Sequence, residues 1–508
     1  MIIDSHTHFP HDALPGAGQV LLENAALHGI GSAMISHVIA YPHQPSSAEI
    51  RAANQLVASE CAANPGRLFF LAYLNPQLDD WQLELTNCLQ DGAKGIKLWV
   101  SLKDSSGNLD RCVEVLERAA TVGLPVLLHT FDRTDGNLPG EIGIAEFCRL
   151  SQQVPDCKMI AAHLGCNWRQ ALTHIPKASE NTFFDCCGTF PERGMVKEIL
   201  KSIAHERLLF GSDWPCRSFA SQLFKIQEAE LTEDQAEKIL WRNCASLYRL
   251  PAPPSFPELP LAPPSEEFKT DHFCFCGNFP SIAHHSISPE NLQALLSQNG
   301  VEAAMTVNAS SILSSDLAAA NRDFSIALRN LPRLRPLAVV NPAASDALHC
   351  ITNAQKHCCG LWFSPYWHSW RLNDPAYAEI WLAASASSLP IYINCGIGDY
   401  RARPAYPPVR PVNTEELCEF ARHLPPSANC CIQGFPGCIP EAWPENADNF
   451  LWTATHLSDY GAAPSGSALA DQLRKGSKPR LVCGSEYPFR NMREANTVWR
   501  KIMATMEN

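Results

Sequence analysis

Short apolar runs recur along the chain, each closed by a polar residue, glycine or proline. Over the first 250 residues they are MIID, SAMISHVIA, RLFFLAYLN, GIKLWV, PVLLHT, KMIAAHL, NTFFDC and RLLFGSD. Runs of this length bounded by turn signals predict strands buried on both faces. Between them lie longer stretches such as LDRCVEVLERAATVG (109–123), with apolar residues at helical spacing. Eight strands alternating with helices predict a parallel (β/α)8 barrel rather than an open sheet.

The pattern returns after PAPPSFPELPLAPPSEE (251–267), whose seven prolines exclude helix and central strand. Such a segment is a semi-rigid spacer. Across it, RLFFLAYLNP (67–76) matches RLRPLAVVNP (333–342), LPVLLHT (124–130) matches LPIYINC (389–395), and LLFGSDWP (208–215) matches LVCGSEYP (481–488). The offsets are 266, 265 and 273 residues, so order and spacing are both kept. We expect an α/β protein of two tandem (β/α)8 TIM-like barrels. An active N-terminal barrel spans 1–250, a proline-rich linker 251–267, and a degenerate copy 268–508.

Composition narrows the classes. The 508 residues are 46% hydrophobic and 18% charged, with a net charge of −12. This balance suits a globular protein and argues against nucleic-acid or anionic-membrane partners. No apolar run reaches the roughly 18 residues of a membrane helix. The 21 cysteines, some in adjacent pairs such as Cys186-Cys187, lack zinc-finger spacing. Reduced thiols in a cytoplasmic protein, with no signal peptide before the first strand, are the expectation.

Side chains two apart on a strand share a face, so His6 and His8 of MIIDSHTH point to one side. Three more ionisable groups end strand candidates: His129 in PVLLHT, His163 in MIAAHLG and Asp213 in LLFGSDWP. In a barrel these ends converge at the C-terminal mouth. Histidines with a carboxylate are a sound zinc set, and an open coordination position makes such a site catalytic.

The first half resembles the amidohydrolase superfamily, in the branch with aminocarboxymuconate-semialdehyde decarboxylase, aromatic-acid decarboxylases and lactone hydrolases. DSHTH, KGIKLW, LLHT, AAHLG, GSDWP and the closing WRNCASLY carry the resemblance over about residues 1–250. It implies one divalent metal ion, zinc or alternatively manganese, on His6, His8 and His129, with Asp213 as a fourth, catalytically important ligand. It implies a catalytic place for His163, near the metal, activating water or orienting substrate. Lys97, where other branches carry a carboxylated lysine, reads here as a buried lysine paired with a carboxylate.

The reaction expected is hydrolysis of a small ester, lactone or amide bearing a carboxylate. Decarboxylation of an aromatic or enoic acid is the alternative, and a non-catalytic binding protein the third reading. Substrate-binding candidates on the loops are His37, Tyr41, Trp99, Phe131, Asp132, Arg133, Trp168 and Arg217. The arginines suit a carboxylate through paired hydrogen bonds.

In the second half Asn394 aligns with His129, Glu486 with Asp213, Trp362 with Lys97, and Gln433 or Gly434 with His163. His6 and His8 fall on Phe273 and Phe275 in one register, or on Cys274 and Cys276 in another. This half is expected to lack a catalytic metal and to pair with the active barrel, with further oligomerisation open. Its loop RARPAYPPVRP (401–411) is a candidate to reach across. A new site from His272, Cys274, Cys276 and Glu486 is the rival reading.

Overall fold

The strand β1 (Ile3–Phe9) is buried at every position, as a barrel strand covered on both faces must be. It pairs in parallel with β2 (Ser32–His37). The parallel ladder continues through β3 (Leu68–Leu74), β4 (Gly95–Leu98), β5 (Val126–Leu128), β6 (Met159–Ala161), β7 (Thr182–Asp185) and β8 (Leu208–Leu209). After β8 the chain returns to β1. Ser5 N–H donates to Phe210 O at 2.9 Å, Asp213 N–H to His6 O at 2.8 Å, and His8 N–H to Trp214 O at 2.7 Å. In this computed structural model all eight apolar runs of the first half supply strands of one nearly closed barrel.

The structure describes residues 1–9, 13, 15–26, 28–39, 44–99, 109–133, 136–188, 194–217, 219–254, 269–279, 282–397, 410, 412–435, 439–440, 442–444, 449–453, 462–463, 466–467, 480–488, 492, 495 and 499. Tyr41, most of the 251–267 linker and all but Arg410 of the 401–411 loop lie outside them. Among the described residues, no helix is long and apolar enough to cross a membrane.

The helices follow local chemistry. Ser46 caps the helix Ser47–Ala63, and Glu49 reaches back to the cap, satisfying amides that the first turn leaves open. The helix Asp110–Val122 buries Cys112, Val115, Leu116 and Ala119, one face at i, i+3, i+4 and i+7. It stops at Gly123, whose φ of +70° suits a residue without Cβ.

The second half repeats the design. β9 (Thr270–Phe279) carries an antiparallel neighbour, β10 (Ile282–Ile287). On its other side the parallel ladder runs through β11 (Ala303–Asn308), β12 (Leu334–Val340), β13 (Gly360–Phe363), β14 (Ile391–Asn394), β15 (Cys430–Gln433), β16 (Phe450–Thr453) and the strand Leu481–Val482. Phe275 N–H to Tyr487 O at 2.8 Å and Glu486 N–H to Phe273 O at 2.6 Å bring the last strand back to β9. Each half buries its own apolar clusters.

A shared clasp selects between the two registers left open by sequence. Asp4 accepts the amides of His6 at 3.1 Å and Ser212 at 3.0 Å. Asp271 accepts those of Phe273 at 3.0 Å and Ser485 at 2.9 Å. Phe273 and Phe275 therefore stand where His6 and His8 stand. Pairing of β14 with β15 likewise places Gly434, rather than Gln433, opposite His163, and both backbones are left-handed there, φ +66° and +62°.

Burial pushes the Asp271 carboxyl up to about 6, against the pull of its hydrogen bonds to Ser485 and Phe273. Its unfolded value is near 3.9. Because the folded value is the higher, the bound proton favours the fold. This contribution is whole below about pH 3.9 and is lost as pH rises through the folded value. In urea unfolding, the decline between pH 4 and 7 should be about 2 kcal/mol larger in wild type than in Asp271→Asn, which keeps the contribution of Asp4.

Candidate active site of the N-terminal barrel

The mouth of the first barrel opens into a cavity of about 380 Å³. His8, His129, His163 and Asp213 lie on its surface, with Trp99, Phe131, Arg133, Glu141, Cys216 and Arg217 around them. His6 is fully buried beneath. Barrel closure does the positioning. His6 and His8 leave β1 side by side, and the Asp213 amide is bonded to the His6 carbonyl.

His6 Nε2 lies 2.9 Å from His8 Nε2, and Asp213 Oδ1 is 3.8 and 3.6 Å from the two. The far ring nitrogens are engaged: His6 Nδ1 with Asp185 Oδ2 at 2.9 Å, and His8 Nδ1 with Ser36 Oγ at 2.7 Å. Burial acts to raise Asp185, but His6, together with hydrogen bonds from Cys187 and the His163 amide, prevails and holds the carboxyl below its ordinary value. Facing a carboxylate, His6 Nδ1 carries the proton and Nε2 the lone pair.

That one lone pair has two suitors, since Lys97 Nζ is also 2.9 Å away. Lys97 is fully buried. Burial lowers its ammonium to about 8, while Asp213 and Asp185 favour the charge. His8 is driven well below its ordinary value by burial, then by Lys97 and His6. Imidazole nitrogens and a carboxylate crowded on one point are the donor chemistry a divalent ion needs. The residues present fit such an ion.

His129 stands one imidazole further out. Its Nε2 bonds Glu141 Oε1 at 2.8 Å, and its Nδ1 faces His163 Nε2 at 3.2 Å. Among the described residues, the donor set around His6 Nε2 is His6, His8 and Asp213, without His129. Glu141 is fully buried and also receives Arg133 Nε at 2.8 Å. Burial acts to raise its carboxyl, but the hydrogen bonds from His129 and Arg133 prevail and hold it at about 2.

The loop candidates divide. Trp99 packs edge-on to His129 at 5.9 Å, and Arg133 lies over the Phe131 ring at 4.4 Å. Arg217 donates to Gly188 O at 3.1 Å and Cys216 O at 3.0 Å. Three described candidates, His37, Trp168 and Asp132, are placed off the cavity surface. His37 ends β2 beside Phe9, and Trp168 opens the helix Trp168–His174 inside the apolar core. Asp132 accepts the Ile144 amide at 3.1 Å and so caps the next helix.

Among the described residues, the second barrel has no such set. Phe273 and Phe275 meet at 5.2 Å, Phe275 packs on Trp362 at 6.0 Å, and Trp362 Nε1 donates to Gln433 at 2.9 Å. Among the described residues, His272, Cys274, Cys276 and Glu486 form no metal-sized cluster.

Residues 3–250 match the family model described as amidohydrolase. The N-terminal half of the chain belongs to the amidohydrolase family. Members are typically metal-dependent hydrolases and decarboxylases. No curated protein matches the chain by sequence. Three solved structures illustrate the likeness, each covering 49% of this chain. A 2,6-dihydroxybenzoate decarboxylase from Rhizobium is 19% identical, with 98% of its length covered and a TM-score of 0.39. An enzyme from Pseudomonas putida assigned as a 2-pyrone-4,6-dicarboxylic acid hydrolase is 19% identical, with 97% covered and a TM-score of 0.37. A dihydroxybenzoic acid decarboxylase from Polaromonas sp. JS666, with manganese and 2-nitroresorcinol bound, is 17% identical, with 96% covered and a TM-score of 0.38.

Sequence reasoning missed Asp185, Cys187 and Glu141 in this amidohydrolase barrel. Asp185 ends the run NTFFD at the same barrel end as the histidines, a signal that was available. Glu141 sits in the loop LPGEIG, where no periodicity marks it.

Removing Glu141 leaves Arg133 and His129 without their common partner. Glu141→Ala should destabilise the N-terminal barrel by about 3 kcal/mol at pH 7, read from urea unfolding. Since the folded Glu141 value is the depressed one, the deficit should be full above about pH 4.5 and fade as pH falls through about 2.

Proposed function

We propose that the N-terminal amidohydrolase barrel hydrolyses a small ester, lactone or amide that bears a carboxylate, with the help of one divalent ion. The observation that carries this reading is the meeting of His6 Nε2, His8 Nε2 and Asp213 Oδ1 below an accessible cavity. These three residues would hold the ion, zinc in the first instance and manganese as the alternative, with His129 behind His163. When bound, the ion supplies Lewis acidity that eases ionisation of water at neutral pH and polarises a carbonyl.

The chain's own groups do the rest. Asp213, with its side chain 14% exposed, accepts a proton from the attacking water at a carboxylate oxygen and returns it to the leaving group. Burial, and the neighbouring His6 and His129 after it, keep His163 neutral. A neutral His163 would offer a substrate oxygen a hydrogen bond from Nε2 rather than a charge, exchanging its contact with His129 Nδ1 for it. Arg133 and Arg217 give the rim its positive charge and draw in an anionic substrate. Trp99 and Phe131 wall the cavity against water. The C-terminal barrel serves as a structural copy without a catalytic metal, paired with the active one.

Metal analysis of the purified full chain tests the reading first. At least one equivalent of zinc or manganese is expected, with about one equivalent fewer in His8→Ala and a larger loss in His6→Ala. A panel of lactones, esters and aromatic acids then follows ring opening and CO2 release. Hydrolysis incorporating solvent oxygen is expected, with Asp213→Asn slower by roughly 100-fold or more. CO2 release without water uptake would assign decarboxylation instead. A folded protein that takes up no metal would remove the basis of both.

A further inference from the structure

His6 has two ring nitrogens, and the proposed reading uses only Nε2. Its Nδ1 faces a different group of donors, deeper in the barrel. Asp185 Oδ2 is 2.9 Å away and Cys187 Sγ 3.2 Å. Cys187 Sγ also lies 3.3 Å from His163 Nδ1 and 2.8 Å from Asp185 Oδ1. His6, Asp185 and Cys187 are fully buried, and His163 is 4% exposed. One donor atom from each falls within 4.8 Å of all the others.

The backbone is shaped for this meeting. Gly188 follows Cys187 with a φ of +78°, and a Cβ there would fall 2.1 Å from His163 Nδ1. Only glycine admits the imidazole to the thiol. Gly188 and His163 both reach the cavity surface, which supplies an entry path. One thiolate, two imidazoles and a carboxylate make a four-donor set of the kind zinc takes. The sulfur favours thiophilic ions over magnesium, calcium or manganese. The second barrel has lost this group as a unit, with Phe273, Gly434 and Thr453 at the positions of His6, His163 and Asp185.

We propose that the N-terminal barrel carries a second, inner cation site, built from Cys187 Sγ, His163 Nδ1, Asp185 and His6 Nδ1, for a thiophilic divalent ion such as zinc, cadmium or cobalt. Binding releases the Cys187 thiol proton to solvent. His6 moves its Nδ1 proton to Nε2 when the outer set is empty, or would release it to solvent when the outer set is filled. The inner site does not require an ion in the outer one.

Cobalt titration of the metal-stripped full chain tests this. A thiolate-to-cobalt charge-transfer band should grow in the near ultraviolet. It should be lost in Cys187→Ser and kept in Asp213→Asn and in Cys216→Ser, which removes the exposed thiol at the cavity. A band that survives in folded Cys187→Ser overturns the site. Wild type that binds cobalt without a sulfur band also overturns it, and leaves the outer-site reading standing. Should Cys187→Ser fail to fold, X-ray absorption on the zinc-loaded Cys216→Ser protein decides. A sulfur neighbour at about 2.3 Å supports the site, and a shell of nitrogen and oxygen alone overturns it.

Discussion

The N-terminal barrel's chemistry rests on the hydrogen bonds that bring the chain after β8 back to β1. His6 and Asp213 are 207 residues apart in sequence, yet the amide of one is bonded to the carbonyl of the other. Loop closure over such a separation costs entropy that only the completed ladder returns. Asp4 reinforces the seam by accepting amides from both sides of it. Anything that opened this seam would separate the two histidines of β1 from their carboxylate before disturbing either strand.

Duplication provided a second seam of the same design with different occupants. Asp271 keeps the clasp and Glu486 the left-handed turn, at φ +56° against +61° for Asp213. Glu486 retains a carboxylate, but the two imidazoles that would hold an ion with it have given way to Phe273 and Phe275. A buried imidazole without a partner is costly, whereas a buried aromatic ring fills volume and asks for nothing polar. Phe273, Phe275 and Trp362 accordingly pack edge to face in the space where His6, His8 and Lys97 meet in the first barrel. Each fold-closing device thus survives independently of the chemistry once built on it.

Much of this was legible before any coordinates, for a physical reason. Parallel strands buried on both faces leave apolar runs, and an ionisable residue ending such a run stands out, as His129, His163 and Asp213 do. What escaped notice was supplied by loops or by geometry across the barrel. Glu141 reaches His129 from an irregular segment, and Cys187 passes for one more buried thiol until the fold sets it between two imidazoles. Trp168 turns to the core, and a tryptophan at a strand exit reads alike in sequence whether it turns there or to the cavity. The register of β9 hung on the Asp4–Asp271 equivalence, since a slip of one residue exchanges the faces of a strand.

His163 and Gly434 occupy the same left-handed backbone position in the two copies. For a residue with a Cβ that conformation costs on the order of 1 kcal/mol, and for glycine almost nothing. The first copy bears this conformational debt continuously in order to aim an imidazole. The second copy, with nothing to aim, has settled into the relaxed residue. Restoring function to the C-terminal half would therefore demand more than donor atoms, because the scaffold there has annealed around their loss.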